Sequence, residues 1–175
     1  MSSGEFPLRD LPGEMELSRL PLDASDEVLG DFASLVRIWR RKRRSRSLPP
    51  RSAFSPRDFL PRWIGWVVID EGMPEPFDLY CRLFGSRVTE LYGIDQSGKT
   101  LSVYCDHPTE GDVWRRYLDF MAGVVRDPAF VLMREEFSQS DRAVAADWLI
   151  MPLSNDGKTV THFLSGVNSH IECDW

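Results

Sequence analysis

Long apolar runs, lysine, histidine and cysteine are all scarce in this 175-residue chain, and each scarcity removes a class of protein. The longest unbroken apolar stretches, Trp66 to Ile69 and Trp148 to Leu153, fall far short of the ~20 residues a spanning helix needs, so no transmembrane segment is expected. The N-terminus, MSSGEFPLRDLPGEMEL, lacks a basic stretch leading into an apolar one. Secretion is therefore not signalled, and a cytoplasmic location is expected. Cys81, Cys105 and Cys173 are odd in number and scattered, which suits reduced thiols rather than a disulfide framework. Cys105-Asp106-His107 and His170-Ile171-Glu172-Cys173 lack the ligand spacings of stable zinc sites, so no metal is assigned. Three histidines offer few general bases, and no G-x-S-x-G turn is present. Glu135 and Glu136 are adjacent on a strand and point to opposite faces, so they cannot act as a carboxylate pair. No residue set assembles into a catalytic site, and the sequence identifies no cofactor and requires none. The expectation is a non-enzymatic binding protein.

What is present suffices for one domain: 42% apolar and 11% aromatic residues can bury a contiguous core. The net charge is −6, yet residues 37–46 (RIWRRKRRSR) carry seven positive and no negative charges. Arg40, Arg41, Arg43 and Arg44 are the charged-contact candidates for a phosphate, an anionic lipid or an acidic partner. The competing reading is a solvated helix end whose cations suit the negative pole of the dipole. Overall acidity disfavours a general nucleic-acid binder, which stands as the alternative function.

Residues 1–24, with Pro7, Pro12, Pro21, Gly4 and Gly13, read as an irregular arm. Residues 25–46 read as a helix with Ser25 at its N-cap and acids in its first turn. Val28, Phe32, Leu35, Val36 and Trp39 form its apolar stripe, too short for a stable coiled coil alone, so the stripe packs on the domain, on a second copy, or on both. LPPRSAFSPRDFLPRW is a proline-punctuated connection with one helical turn after Ser55. IGWVVID and the alternating FDLYCRLF form a hairpin, with Phe77, Leu79, Cys81 and Leu83 on one face. Thr109 and Asp112 suggest a capping box for a second helix, which Pro128 stops. VLMREEFSQ, ADWLIMPLS and VTHFLSGV then supply three strands, separated by SDRA and by the Asn155 to Gly157 turn. Two strands, a helical insert and three strands make an antiparallel α+β sheet.

GIDQSGKT, Gly93 to Thr100, matches the phosphate-cradling G-x-x-x-x-G-K-[ST] pattern and gives a third reading, a P-loop nucleotide binder. That chemistry needs a buried strand entering the loop and a helix starting at the lysine. The flanks supply neither, because RVTELYG carries Arg87, Thr89 and Glu90, and Pro108 follows soon after Thr100. Asp70, the acid that would hold magnesium, lacks parallel βαβ wiring.

LPPRSAFSPRDFLPRW, then LYCRLFGSRVTELYGIDQSGKTL, then MPLSNDGKTVTHFLSG together resemble a stand-alone bacterial PAS-like sensory domain of the proline-led subfamily, over about residues 35–167. The resemblance implies a five-stranded antiparallel sheet with helices on one face, enclosing a small cavity, and an N-terminal helix. It places the PAS-like domain at 47–168 and a tail at 169–175. It implies a sensor or adaptor that binds a small molecule, a protein partner, or both. With no output domain in the chain, signalling is expected to pass through association, as a homodimer or with another protein, through Val28, Phe32, Leu35, Val36 and Trp39. The pocket candidates are Tyr80, Arg82, Tyr92, Tyr117, Met121 and Trp148, large or polar-tipped side chains on elements surrounding the cavity.

Overall fold

The computed structural model describes residues 14–139 and 142–171. Its centre is a six-stranded antiparallel sheet in the order β1-β4-β5-β6-β2-β3, built from β1 (Glu14–Leu20), β2 (Val67–Pro74), β3 (Phe77–Phe84), β4 (Phe130–Gln139), β5 (Arg142–Leu153) and β6 (His162–Ile171). Strands β2 to β6 are those that alternation and turn residues predict. The addition is β1, inside the stretch read as an irregular arm, which pairs with β4 along its whole length. Pro12, Gly13 and Pro21 dominate that reading, yet between them Met15, Leu17 and Leu20 pack against the core while Glu16, Ser18 and Arg19 face solvent. A short edge strand with charges on its outer positions carries little apolar signal. The first thirteen residues of the expected arm, Ser140 and Asp141 of the SDRA turn, and residues 172–175 of the tail, including Cys173, lie outside the described residues.

The helix expected over 25–46 is broken. The Ser25 hydroxyl accepts the Val28 N–H at 3.4 Å and starts α1 (Asp26–Leu29), which ends where Gly30 adopts φ +54°. A 3-10 turn over Gly30–Phe32 leads into α2 (Ala33–Arg43). Directly paired residues share a sheet face, so Val67, Gly166 and Leu149, in register across β2, β6 and β5, lie on one side. That side meets α2. A Cβ on Gly166 would stand 2.4 Å from Leu35 Cδ2, and Trp39 donates its Nε1–H to the Pro152 carbonyl at 3.0 Å while meeting Phe130 edge-on at 5.1 Å.

Phe32, Leu35, Val36 and Trp39 are therefore buried in the chain's own core, and of the stripe only Val28 is exposed. This corrects their assignment as a dimer or partner surface. An open sheet face buries a stripe of under two heptads more completely than a second short helix can. The helices expected over one face of the sheet lie together on the side opposite α2. On the far side of the sheet lie α3 (Ser86–Tyr92), a 3-10 turn over Leu101–Tyr104, and α4 (Gly111–Arg126), which buries Trp114, Tyr117, Leu118, Met121 and Val124.

Two local features differ in detail from the sequence reading. The proline-rich connection forms its turn over Pro56–Phe59, where Ser55 N–H donates to Asp58 Oδ2 at 2.7 Å and Lys42 pairs with Asp58 at 2.7 Å, tying it to α2. Thr109 does not cap α4. Its hydroxyl lies 3.2 Å from His107 Nδ1, and Glu110 holds the cap position.

Candidate functional site

Between the α3–α4 layer and the sheet lies a cavity of about 90 Å³. A β-bulge shapes its floor. Ile69 faces Leu83 and Asp70 faces Cys81, so Arg82 has no partner in β2. One extra residue inverts the alternation beyond it. Leu79 and Cys81 line the cavity before the bulge and Phe84 after it, whereas Leu83, read as part of the apolar face, is turned outward and exposed.

The walls are aromatic. At one end Tyr92 stacks on Phe137 at 4.7 Å between centroids and meets Trp148 and Phe84 edge-on at 5.9 and 6.1 Å. At the other, Trp114 lies 5.5 Å from Tyr104 and 6.1 Å from Tyr117. The Tyr104 hydroxyl donates to Gln96 Oε1.

Two carboxylates lie on this floor. Glu135, on β4, accepts the Tyr92 hydroxyl and, at 2.8 Å, the Trp148 indole N–H on the same Oε1. Burial pushes its pKa up to about 8, opposed by the Trp148 donor. Asp70, on β2, is pushed up to about 7 by burial, opposed only by a hydrogen bond from the Cys81 thiol. Burial and then the neighbouring Asp70 charge push the Cys81 thiol and the Tyr117 hydroxyl up in turn. At pH 7 the site can hold Asp70 in either protonation state. It thus offers apolar surface, aromatic faces and an adjustable acid.

The geometry also disposes of the phosphate-loop pattern. Gly93 is the left-handed C-cap of helix α3, and Thr100 leads into a 3-10 turn, so no strand enters the loop and no α-helix leaves it. Lys99 Nζ donates to the Asp95 carbonyl at 3.0 Å.

A sequence profile of the PAS domain matches residues 31–167. The chain belongs to the PAS domain family. As a PAS domain it is a sensory signalling module, with β3-β2-β6-β5-β4 as its five-stranded part and β1 added at the edge. A solved structure described as an RNA-binding Light-Oxygen-Voltage receptor aligns with 90% of this chain at 16% identity and a TM-score of 0.43; the PAS domain spans 39% of that receptor chain. No curated protein sequence matches. No helix among the described residues is long and apolar enough to cross a membrane.

Of the pocket candidates, the PAS domain brings Tyr92, Tyr117 and Trp148 to the cavity. Met121, wholly buried on α4, packs in the core beside it. Tyr80 and Arg82 point away. Arg82 pairs with Glu71 on the solvent side and stacks over the Tyr80 ring at 4.7 Å, so its nomination as a pocket residue is corrected to an exposed ion pair. Arg40 and Arg43 are also internal contacts rather than charged-contact sites. Arg40 donates to the Ala24 carbonyl at 2.6 Å, and Arg43 lies over Trp39 at 5.8 Å. Arg41 and Arg44 are exposed.

Sequence reasoning missed Asp70 and Glu135 as site residues. A usable signal was there: Asp70 shares strand parity with Val68, and Glu135 with Met133 and Phe137, so each places an acid on an otherwise apolar face.

Proposed function

We propose that this PAS domain is a non-enzymatic cytoplasmic sensor or adaptor that holds a small molecule in the cavity and relays its occupancy to a protein partner. The observation that carries the reading is the cavity itself, floored by the buried Glu135 and the half-buried Asp70 and walled by Phe84, Tyr92, Tyr104, Trp114, Tyr117 and Trp148. A closed core would fill that space with side chains. Concave apolar sites with a few placed polar groups are the usual form of a ligand pocket. The partner, a second copy or another signalling protein, must use a surface other than the α2 stripe. Mass spectrometry of the natively purified protein tests the reading. A retained small molecule, displaced on filling the cavity through Leu79→Trp, is expected. A bare chain, together with a fragment screen in which no compound shifts the Trp148 indole resonance, would refute it.

A second reading, contact with a nucleic acid or another anionic surface, has one observation in its favour. Among the described residues Arg41, Arg44 and Arg46 form no ion pair, although Arg37 pairs with Asp26 and Lys42 with Asp58. It predicts binding that weakens steeply with salt and is lost in an Arg41→Gln/Arg44→Gln/Arg46→Gln variant. Salt-independent binding would refute it.

A further inference from the structure

Resting on the ligand-cavity reading and deepening it, we infer that Asp70 is the anchor of the cavity and that the ligand it selects is a small organic cation bearing N–H donors, of the protonated-amine or guanidinium class. The two carboxylates of the floor are not equivalent. Glu135 is only 2% exposed, and its Oε1 already accepts two donors, from Tyr92 and Trp148. It is held by the protein. Asp70 is half-buried and lines the cavity, and among the described residues its side-chain hydrogen bond comes from the Cys81 thiol. A thiol is a weak donor, while an ionised carboxylate has about four acceptor sites. A buried carboxylate short of donors is met either by a proton or by an incoming cation.

The walls near it favour the cation. Tyr104, Trp114 and Tyr117 present rings whose faces attract positive charge, and a guanidinium or ammonium head can stack there while donating to Asp70. The one basic residue on the lining, Lys99, turns its ammonium to the Asp95 carbonyl and does not compete. Size restricts the head group. A cavity of roughly 150 Å³ accepts benzene, so about 90 Å³ suits a head of four or five non-hydrogen atoms. The titratable groups facing Asp70 are Cys81 on β3 and Tyr117 on α4, both with pKa values raised, so neither carries charge near neutrality. Asp70 itself exchanges a proton near pH 7. Cation binding must expel that proton at lower pH, and affinity therefore rises with pH up to about 7 and then levels.

The experiment compares methylguanidinium with N-methylurea, its neutral isostere, by two-dimensional NMR of the full chain, following the Cys81 amide and the Trp114 indole. At pH 8.5 the cation is expected to bind at least about tenfold more tightly. The preference is expected to shrink below about threefold at pH 5.5 and in Asp70→Asn, and to survive in Glu135→Gln, whose carboxylate serves the protein rather than the ligand. Equal binding of the two probes, a preference that persists in Asp70→Asn, or no response to the cation would overturn the inference. Binding of N-methylurea alone, or a retained ligand that is neutral or anionic, would overturn it while leaving the ligand-cavity reading intact. That reading falls only to the bare-chain mass and the silent fragment screen described for it.

Discussion

Ligand-free protein should lose stability as pH rises from 4 to 8, the reverse of what ordinary salt-bridged acids give, and Asp70→Asn should remove much of the loss. The physical chain is short. In the unfolded chain Asp70 gives up its proton near pH 3.8, whereas burial in the folded protein holds that proton to about pH 7. Between those values the native state binds one proton more than the unfolded state. Stability then falls by about 1.4 kcal/mol per pH unit for that group. Over the whole interval the loss is on the order of 4 kcal/mol, a large share of the 5–15 kcal/mol typical of a domain. Glu135, shifted from 4.5 to about 8, adds a second fall of the same sign.

Other shifted groups do not mimic this signal. Asp58, Asp95 and Asp156 have lowered pKa values, so their contribution is present above the unfolded value and is lost only as pH falls below it. His162, lowered by burial, opposes the fall, because stability from it rises with pH up to its unfolded value of 6.5. Urea unfolding followed by tryptophan fluorescence at pH 5, 6, 7 and 8 measures the slope. At pH 8 Asp70→Asn should exceed the wild type by a few kcal/mol, and near pH 4 the two should converge. A wild-type stability that is flat or rising between pH 5 and 8, or an Asn variant no more stable at pH 8, would show that Asp70 is not held as argued.

Three further outcomes are expected. Gly166→Ala puts a methyl 2.4 Å from Leu35 Cδ2 and 3.1 Å from Trp63; it should cost about 1–3 kcal/mol in urea unfolding, and an unchanged midpoint would mean α2 does not press on β6 there. Leu35→Asp puts an unpaired charge at a position with no exposure. It should cost more than about 4 kcal/mol and abolish folding, whereas a folded monomer from a wild-type dimer by light scattering would restore the stripe as an association surface. Lys99→Ala should change stability by less than about 0.5 kcal/mol and leave nucleotide binding as in the wild type in equilibrium dialysis. Selective loss of ATP binding would revive the phosphate-loop reading.

The legibility of this protein divides along physical lines. Strand period, turn residues and helix caps act over a few neighbouring residues, so β2 to β6, α4 and the turn after Ser55 could be read from the chain. The segment Glu14–Leu20 could not, because its strand state depends on pairing with β4, over a hundred residues away. The stripe of α2 was visible as a stripe, but periodicity gives the direction of an apolar face and not its occupant. Gly166 and Pro152 decide that, and they come from the far end of the sequence. Tyr92, Tyr117 and Trp148 were legible as pocket residues because they are large, polar-tipped and on the right elements. Arg82 fitted the same description and failed, because it shares with Tyr80 the face of β3 opposite the cavity-lining Leu79 and Cys81.

From the sequence alone, this is an α+β chain whose proline-led connection, hairpin and three closing strands match a PAS domain. Those are properties of short-range pattern and composition. Only the tertiary structure decided which face each helix covers, which three of six nominated residues reach the cavity, and that Asp70 stands at its floor with a thiol for a donor. Burial and hydrogen-bond supply are set by what the chain brings together from distant positions, and the character of Asp70 follows from those two quantities.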